Sequence, residues 1–69
     1  MSVETERQVE ALLFAAAGPL SLEDIAGRLP AGADVEAAID ALRKTYEGRG
    51  VVLACVAGRW RFQTAEDLA

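Results

Sequence analysis

Sixty-nine residues fit one small domain, and a chain with no histidine and a single cysteine cannot supply a Ser-His-Asp triad, a Cys-His pair or a Cys/His zinc site. Seven Lys+Arg against eleven Asp+Glu leave a net charge of −4, the wrong sign for a general nucleic-acid coat protein. No catalytic residue, metal or cofactor is expected on these grounds, and neither is non-specific DNA packing.

An apolar fraction of 52% is enough for a core, while the longest apolar stretch, residues 11–17, is far too short to cross a membrane. The start Met1-Ser2-Val3-Glu4-Thr5-Glu6 is acidic and polar, unlike a secretory signal, so a soluble cytoplasmic location is expected. The lone cysteine agrees with a reducing compartment.

Thr5-Glu6-Arg7-Gln8 has the form of a capping box and predicts a helix over residues 5–17. Val9, Leu12, Leu13 and Ala16 recur at helical spacing on one face, and Gly18-Pro19 ends the run. A second helix starts at the N-cap Ser21. Glu23 and Asp24 stand in its first turn, where the helix dipole favours anions, and Leu20 is placed to staple onto Ile25. As adjacent helical residues, these two carboxylates point apart and read as capping rather than acid-base groups. The helix closes before Pro30, and Asp34 caps a third, on which Val35, Ala38, Ile39, Leu42 and Tyr46 share a face until Gly48-Arg49-Gly50 stops it.

The period then changes. Residues 51–56 are a β-favouring run, 57–59 a short turn, and Trp60-Arg61-Phe62-Gln63-Thr64 alternates apolar with polar. A hairpin follows, with Trp60 and Phe62 facing the core and Arg59, Arg61 and Gln63 facing out. Cys55, with no histidine or clustered base to activate it, reads as a packed strand thiol. Three helices followed by a β-hairpin wing give an α+β, mostly α fold: the winged helix-turn-helix.

In that fold the third helix reads DNA, but between residues 34 and 47 four acids (Asp34, Glu36, Asp40, Glu47) oppose two bases, Arg43 and Lys44. Asp40/Lys44 and Arg43/Glu47 are spaced to pair, so a solvated, self-neutralising face is expected in place of a base-reading one. Two other surfaces are candidates for protein contact. Arg49, Arg59 and Arg61 lie in an acid-free stretch, residues 48–65, suited to an acidic partner, to phosphates or simply to strand-edge protection. On the first helix Arg7, Ala11, Phe14 and Ala15 fall broadly opposite the core face, an aromatic knob among small residues that either meets a partner or is covered by the same chain.

Val9-Glu10-Ala11-Leu12-Leu13-Phe14, Pro19-Leu20-Ser21-Leu22, Tyr46-Glu47-Gly48-Arg49-Gly50-Val51 and residues 56–64, Val-Ala-Gly-Arg-Trp-Arg-Phe-Gln-Thr, in this order and spacing, resemble the N-terminal winged-helix domain of bacterial segregation and condensation protein B. The resemblance spans nearly the whole chain. It implies a non-enzymatic, nucleoid-associated subunit of the condensin-like Smc-kleisin complex in chromosome condensation and segregation. Its implied partners are a second copy, the kleisin (segregation and condensation protein A) and, through the kleisin, Smc, without direct sequence-specific DNA binding. It also implies that residues 1–64 form the winged-helix domain and that 65–69 begin an inter-domain helix towards a second one. The alternative is a transcriptional regulator that sets the arginines of its hairpin on DNA phosphates.

Overall fold

The computed structural model describes residues 3–68, in which three helices and a three-stranded antiparallel sheet enclose one core. Helix α1 (Val3–Ala15) buries Val9 and Leu13, with Leu12 and Ala16 packed against the same core, as the spacing requires. It begins two residues before Thr5, so Thr5 lies inside the helix and is not its cap. The regular helix also ends at Ala15, although the Ala16 N–H still donates to the Leu12 carbonyl at 3.0 Å.

After Gly18-Pro19 the chain forms a strand that the sequence reading lacks, β1 (Leu20–Ser21). Ser21 ends this strand and caps α2 (Leu22–Ala26). Its hydroxyl accepts from the Asp24 N–H at 3.0 Å, and the Asp24 carboxylate accepts from the Ser21 N–H at 3.1 Å. This reciprocal box satisfies two backbone donors that have no partner within the helix. Leu20 and Ile25 flank the cap and are both in the core. Helix α3 (Val35–Tyr46) is capped by Asp34, which accepts from the Ala37 N–H at 3.1 Å, and it buries Val35, Ala38, Ile39 and Leu42.

Strands β2 (Val51–Val56) and β3 (Arg59–Thr64) form the hairpin in a continuous register, from Val51 opposite Thr64 to Val56 opposite Arg59. The turn is only Ala57-Gly58, at φ 53° and 77°, a two-residue turn with both residues left-handed, so Arg59 belongs to the strand and not to the turn. Strand β1 pairs with the other side of β3, Leu20 opposite Trp60 and Ser21 opposite Arg59, which gives the order β1-β3-β2. Ala65 extends the ladder by one bond, its N–H donating to the Gly50 carbonyl at 2.9 Å. The chain then makes a short 3-10 turn over Glu66–Leu68 where an inter-domain helix is expected; Ala69 lies outside the described residues.

Val9, Ile25 and Leu42 are the most deeply buried large side chains, and Trp60 and Phe62 lie half-buried against the core, as their alternation predicts. Cys55 departs from expectation. It shares the core-facing side of the hairpin with Leu53 and Trp60, but it stands beside the turn, past the buried layer, and is exposed.

Candidate protein-interaction surface

Phe14, 65% exposed, is the large aromatic that the fold leaves out. It is not isolated: its ring centroid lies 5.0 Å from that of Phe62, which in turn lies 4.8 Å from Tyr46, so three rings run from solvent towards the core. Tilted contacts at these distances suit the quadrupoles of aromatic rings. The inner end is fixed by a polar tie between helices, in which the Tyr46 hydroxyl donates to the Glu10 carboxylate. That hydrogen bond, followed by burial and by the charge of Glu10, pushes the Tyr46 hydroxyl pKa up. Beside Phe14 opens a groove of about 390 Å³ lined by Leu13, Ala17, Pro19, Arg61 and Phe62. Thus Phe14 of α1 and Arg61 of β3, candidates on separate grounds in the sequence, meet at one place.

The remaining candidates divide. Ala11 and Ala15 are exposed and line a different, mostly apolar groove of about 320 Å³ with Gln8, Leu12, Arg28 and Leu29. Consecutive helical residues step by 100°, so Ala15 faces a different neighbour from Phe14. Arg7 lies on the exposed first half of α1, its guanidinium 4.0 Å from the Glu4 carboxylate, an exposed pair of small energetic weight.

Arg59 and Arg61 alternate along β3 and therefore share the outer face of the sheet. Arg61 donates to the Gln63 side-chain oxygen at 3.2 Å. Arg59 helps to keep the Asp24 carboxyl below its ordinary pKa, an effect led by the backbone N–H and hydroxyl of Ser21. Arg49 sits at the opposite end of the hairpin. Its Nε donates to the Thr45 carbonyl at 2.8 Å, and its guanidinium lies 5.9 Å from the Tyr46 ring centroid. The three arginines therefore do not form a single patch.

On the outer side of α3, Lys44 and Asp40 pair at 3.5 Å as their spacing predicts. Arg43 does not pair with Glu47; its guanidinium lies over the Trp60 ring, 5.5 Å from the centroid. A cation over an indole face is worth about 0.5–1 kcal/mol, as much as or more than an exposed ion pair at about 0.2–1 kcal/mol, so the ring competes with the carboxylate for the guanidinium. Sequence reasoning missed this contact, the Tyr46–Glu10 bond and the role of Phe62 beneath Phe14. All three join residues far apart in the chain, and only the alternation of Trp60 and Phe62 hinted at them. Among the described residues no helix is long and apolar enough to cross a membrane, and no group of three His, Cys, Asp or Glu is placed to hold a metal ion.

Helix order, sheet order and hairpin define a winged-helix protein whose third helix pairs Lys44 with Asp40 and lays Arg43 over Trp60, and whose exposed side chains include the large apolar Phe14, Val51 and Val56. The segregation and condensation complex subunit ScpB family model matches residues 7–69, and the chain belongs to that family. Among solved structures it resembles one described as a dimer of the ScpB N-terminal domain complexed with ScpA peptide. That match has 34% identity and a TM-score of 0.81, over 93% of this chain and 84% of the other. It also resembles a conserved hypothetical protein from Chlorobium tepidum, with 27% identity and a TM-score of 0.74 over 94% of this chain and 43% of that one. Comparison with curated protein sequences gives no match.

Proposed function

We propose that this chain is a non-enzymatic, cytoplasmic and nucleoid-associated subunit of the Smc-kleisin complex that compacts and partitions the chromosome. It acts by forming a homodimer and by binding the kleisin ScpA, through which it reaches Smc. Membership of the ScpB family and likeness to an ScpB N-terminal domain in a dimer with ScpA peptide support this reading. Residues 1–64 act as the winged-helix module, and residues 65–69 lead towards a second one.

The observation that carries the surface assignment is Phe14, exposed yet held by Phe62 next to a groove that Arg61 borders. A rigid aromatic with an arginine beside it is the composition of an interface hot spot. Arg7, Ala11 and Ala15 on α1 and Arg49 and Arg59 on the hairpin lie outside this groove and are proposed as separate, secondary contacts.

Replacing Phe14 with Asp removes the ring and places a charge in the groove. Titration of ScpA, with sedimentation for self-association, is expected to show one of the two weakened by about 30-fold, the effect of losing a hot spot worth about 2 kcal/mol. The far-UV circular dichroism should not change, because Phe14 is not part of the buried cluster. Unaltered affinity in both measurements removes Phe14 from the interface.

A further inference from the structure

Strand β2 is an edge of the sheet, because the order is β1-β3-β2. Natural edges are normally blunted by a charge, a proline, a bulge or extreme shortness, since an open ladder is a template for another strand. Val51-Val52-Leu53-Ala54-Cys55-Val56 has none of these: six residues, all apolar, in unbroken register with β3. In a two-residue hairpin the pair next to the turn exchanges both its hydrogen bonds, and every second pair does so thereafter. Val52, Ala54 and Val56 therefore bond to β3, while Val51, Leu53 and Cys55 turn their N–H and C=O groups to the open side. Among the described residues, no backbone hydrogen bond from outside the hairpin reaches those three.

We propose that this edge pairs with β2 of a second copy, antiparallel about a two-fold axis at Leu53, to make one six-stranded sheet. The assignment rests on the homodimer reading above and locates its seam, leaving the Phe14 groove for ScpA. The axis sets Leu53 against Leu53 of the partner subunit and Val51 against Cys55 of the partner subunit, so that every facing pair is apolar.

Charge favours a copy of the same strand as occupant, because an uncharged edge offers nothing to select an acidic or basic peptide. The groove between β2 and α3 is walled by Asp40, Arg43, Lys44 and Glu47, two acids and two bases, so the overall −4 is not concentrated there. Arg59 and Arg61 stand one strand in from the edge. In the joined sheet the two β3 strands would be three strand spacings apart, about 14 Å, beyond the screening length of about 8 Å at physiological salt. Pairing of β2 with itself also closes. Pairing with the part of β3 that two-residue β1 leaves uncovered would be head-to-tail and would grow without limit.

Oxidative cross-linking of the Val51→Cys variant tests the register, since a hydrogen-bonded antiparallel pair holds its Cα atoms about 5.5 Å apart, within disulfide range. The expected product is a covalent dimer joining position 51 of one copy to Cys55 of the other. The unaltered chain should give none, because its two Cys55 residues would lie four residues apart along the strands, about 13 Å. Ala54→Glu faces Arg61 across the hairpin, which preserves the fold, but it charges the edge. Sedimentation should show the dimer weakened by at least about tenfold. A dimer that survives Ala54→Glu and fails to cross-link through position 51 overturns the β2 seam and leaves the homodimer reading standing. Ready cross-linking of the unaltered chain overturns the register. A chain that stays monomeric at every concentration overturns both readings.

Discussion

Ala57 holds a left-handed backbone, φ 53°, at the first position of the hairpin turn, where an L-residue with a Cβ loses roughly 1–2 kcal/mol. Such turns favour Asn followed by Gly, and Gly58, at φ 77°, already meets the second requirement. Ala57→Asn should relieve part of the strain, about 0.5–1 kcal/mol. Ala57→Gly should relieve more of it but return about 0.4–1 kcal/mol through a more flexible unfolded chain. At roughly 2.1 cal/mol/K per residue, a 69-residue domain unfolds with an entropy of about 145 cal/mol/K, so 1 kcal/mol shifts the Tm by about 7 °C. Thermal melts followed by circular dichroism should place Ala57→Asn about 3–7 °C above the parent, with Ala57→Gly closer to it. An Asn variant that melts at or below the parent would refute the left-handed turn, and with it the hydrogen-bond alternation that opens the β2 edge.

Ser21→Ala should cost about 1 kcal/mol in urea titration, because the Asp24 N–H loses its acceptor at the start of α2. The bond from the Ser21 N–H depresses the Asp24 pKa. Its stabilisation is therefore complete above the unfolded-state value, near 3.9, and is lost as pH falls through the lower folded-state value; Asp24→Asn should flatten that acid limb. Tyr46 has the opposite sign. Its pKa is raised by Glu10, so its contribution is complete below the unfolded value near 10 and is lost as pH climbs through the higher folded value, and Tyr46→Phe should remove this alkaline loss in pH-jump melts. A mixed-sequence duplex titrated with the chain at about 150 mM salt should show no saturable anisotropy change to high micromolar; tight binding would revive the arginine-hairpin alternative.

What was legible in the sequence was what local periodicity and capping determine. Asp34 and Ser21 mark their helices because each side chain reaches a backbone N–H three residues on. The stripe from Val35 to Leu42 is read directly from its spacing, and the hairpin from alternation at Trp60 and Phe62. The errors share a cause: a tertiary neighbour or an extended helix overrode a local rule. Thr5 and Gln8 fit a box, but the helix continues past them to Val3. β1 is two residues long, too short to show a period of two, and exists because β3 supplies its partner. Arg43 has an acid at the favoured spacing and turns instead to Trp60. For the site, the identities of Phe14 and Arg61 were readable, but their meeting was not, since it depends on where β3 crosses the end of α1.

The same geometry explains why a winged helix can lose DNA reading without losing its fold. The core uses the inner face of α3, so its outer face is free to change sign. Here Lys44 is paired with Asp40 and Arg43 lies over Trp60, which leaves no uncommitted base on the helix that would enter a major groove. Arg59 and Arg61 remain, on the outer face of the hairpin. Two phosphate contacts give a salt slope of only about −1.8, against the six to ten contacts that sustain tight binding. A surface so poor in free positive charge, with a held aromatic and an unprotected strand edge, supports the proposal that its partners are proteins. Phe14 of α1 stands against Phe62 and the open ladder runs along β2, so the groove proposed for ScpA and the seam proposed for the dimer lie on different elements, and filling one would leave the other open.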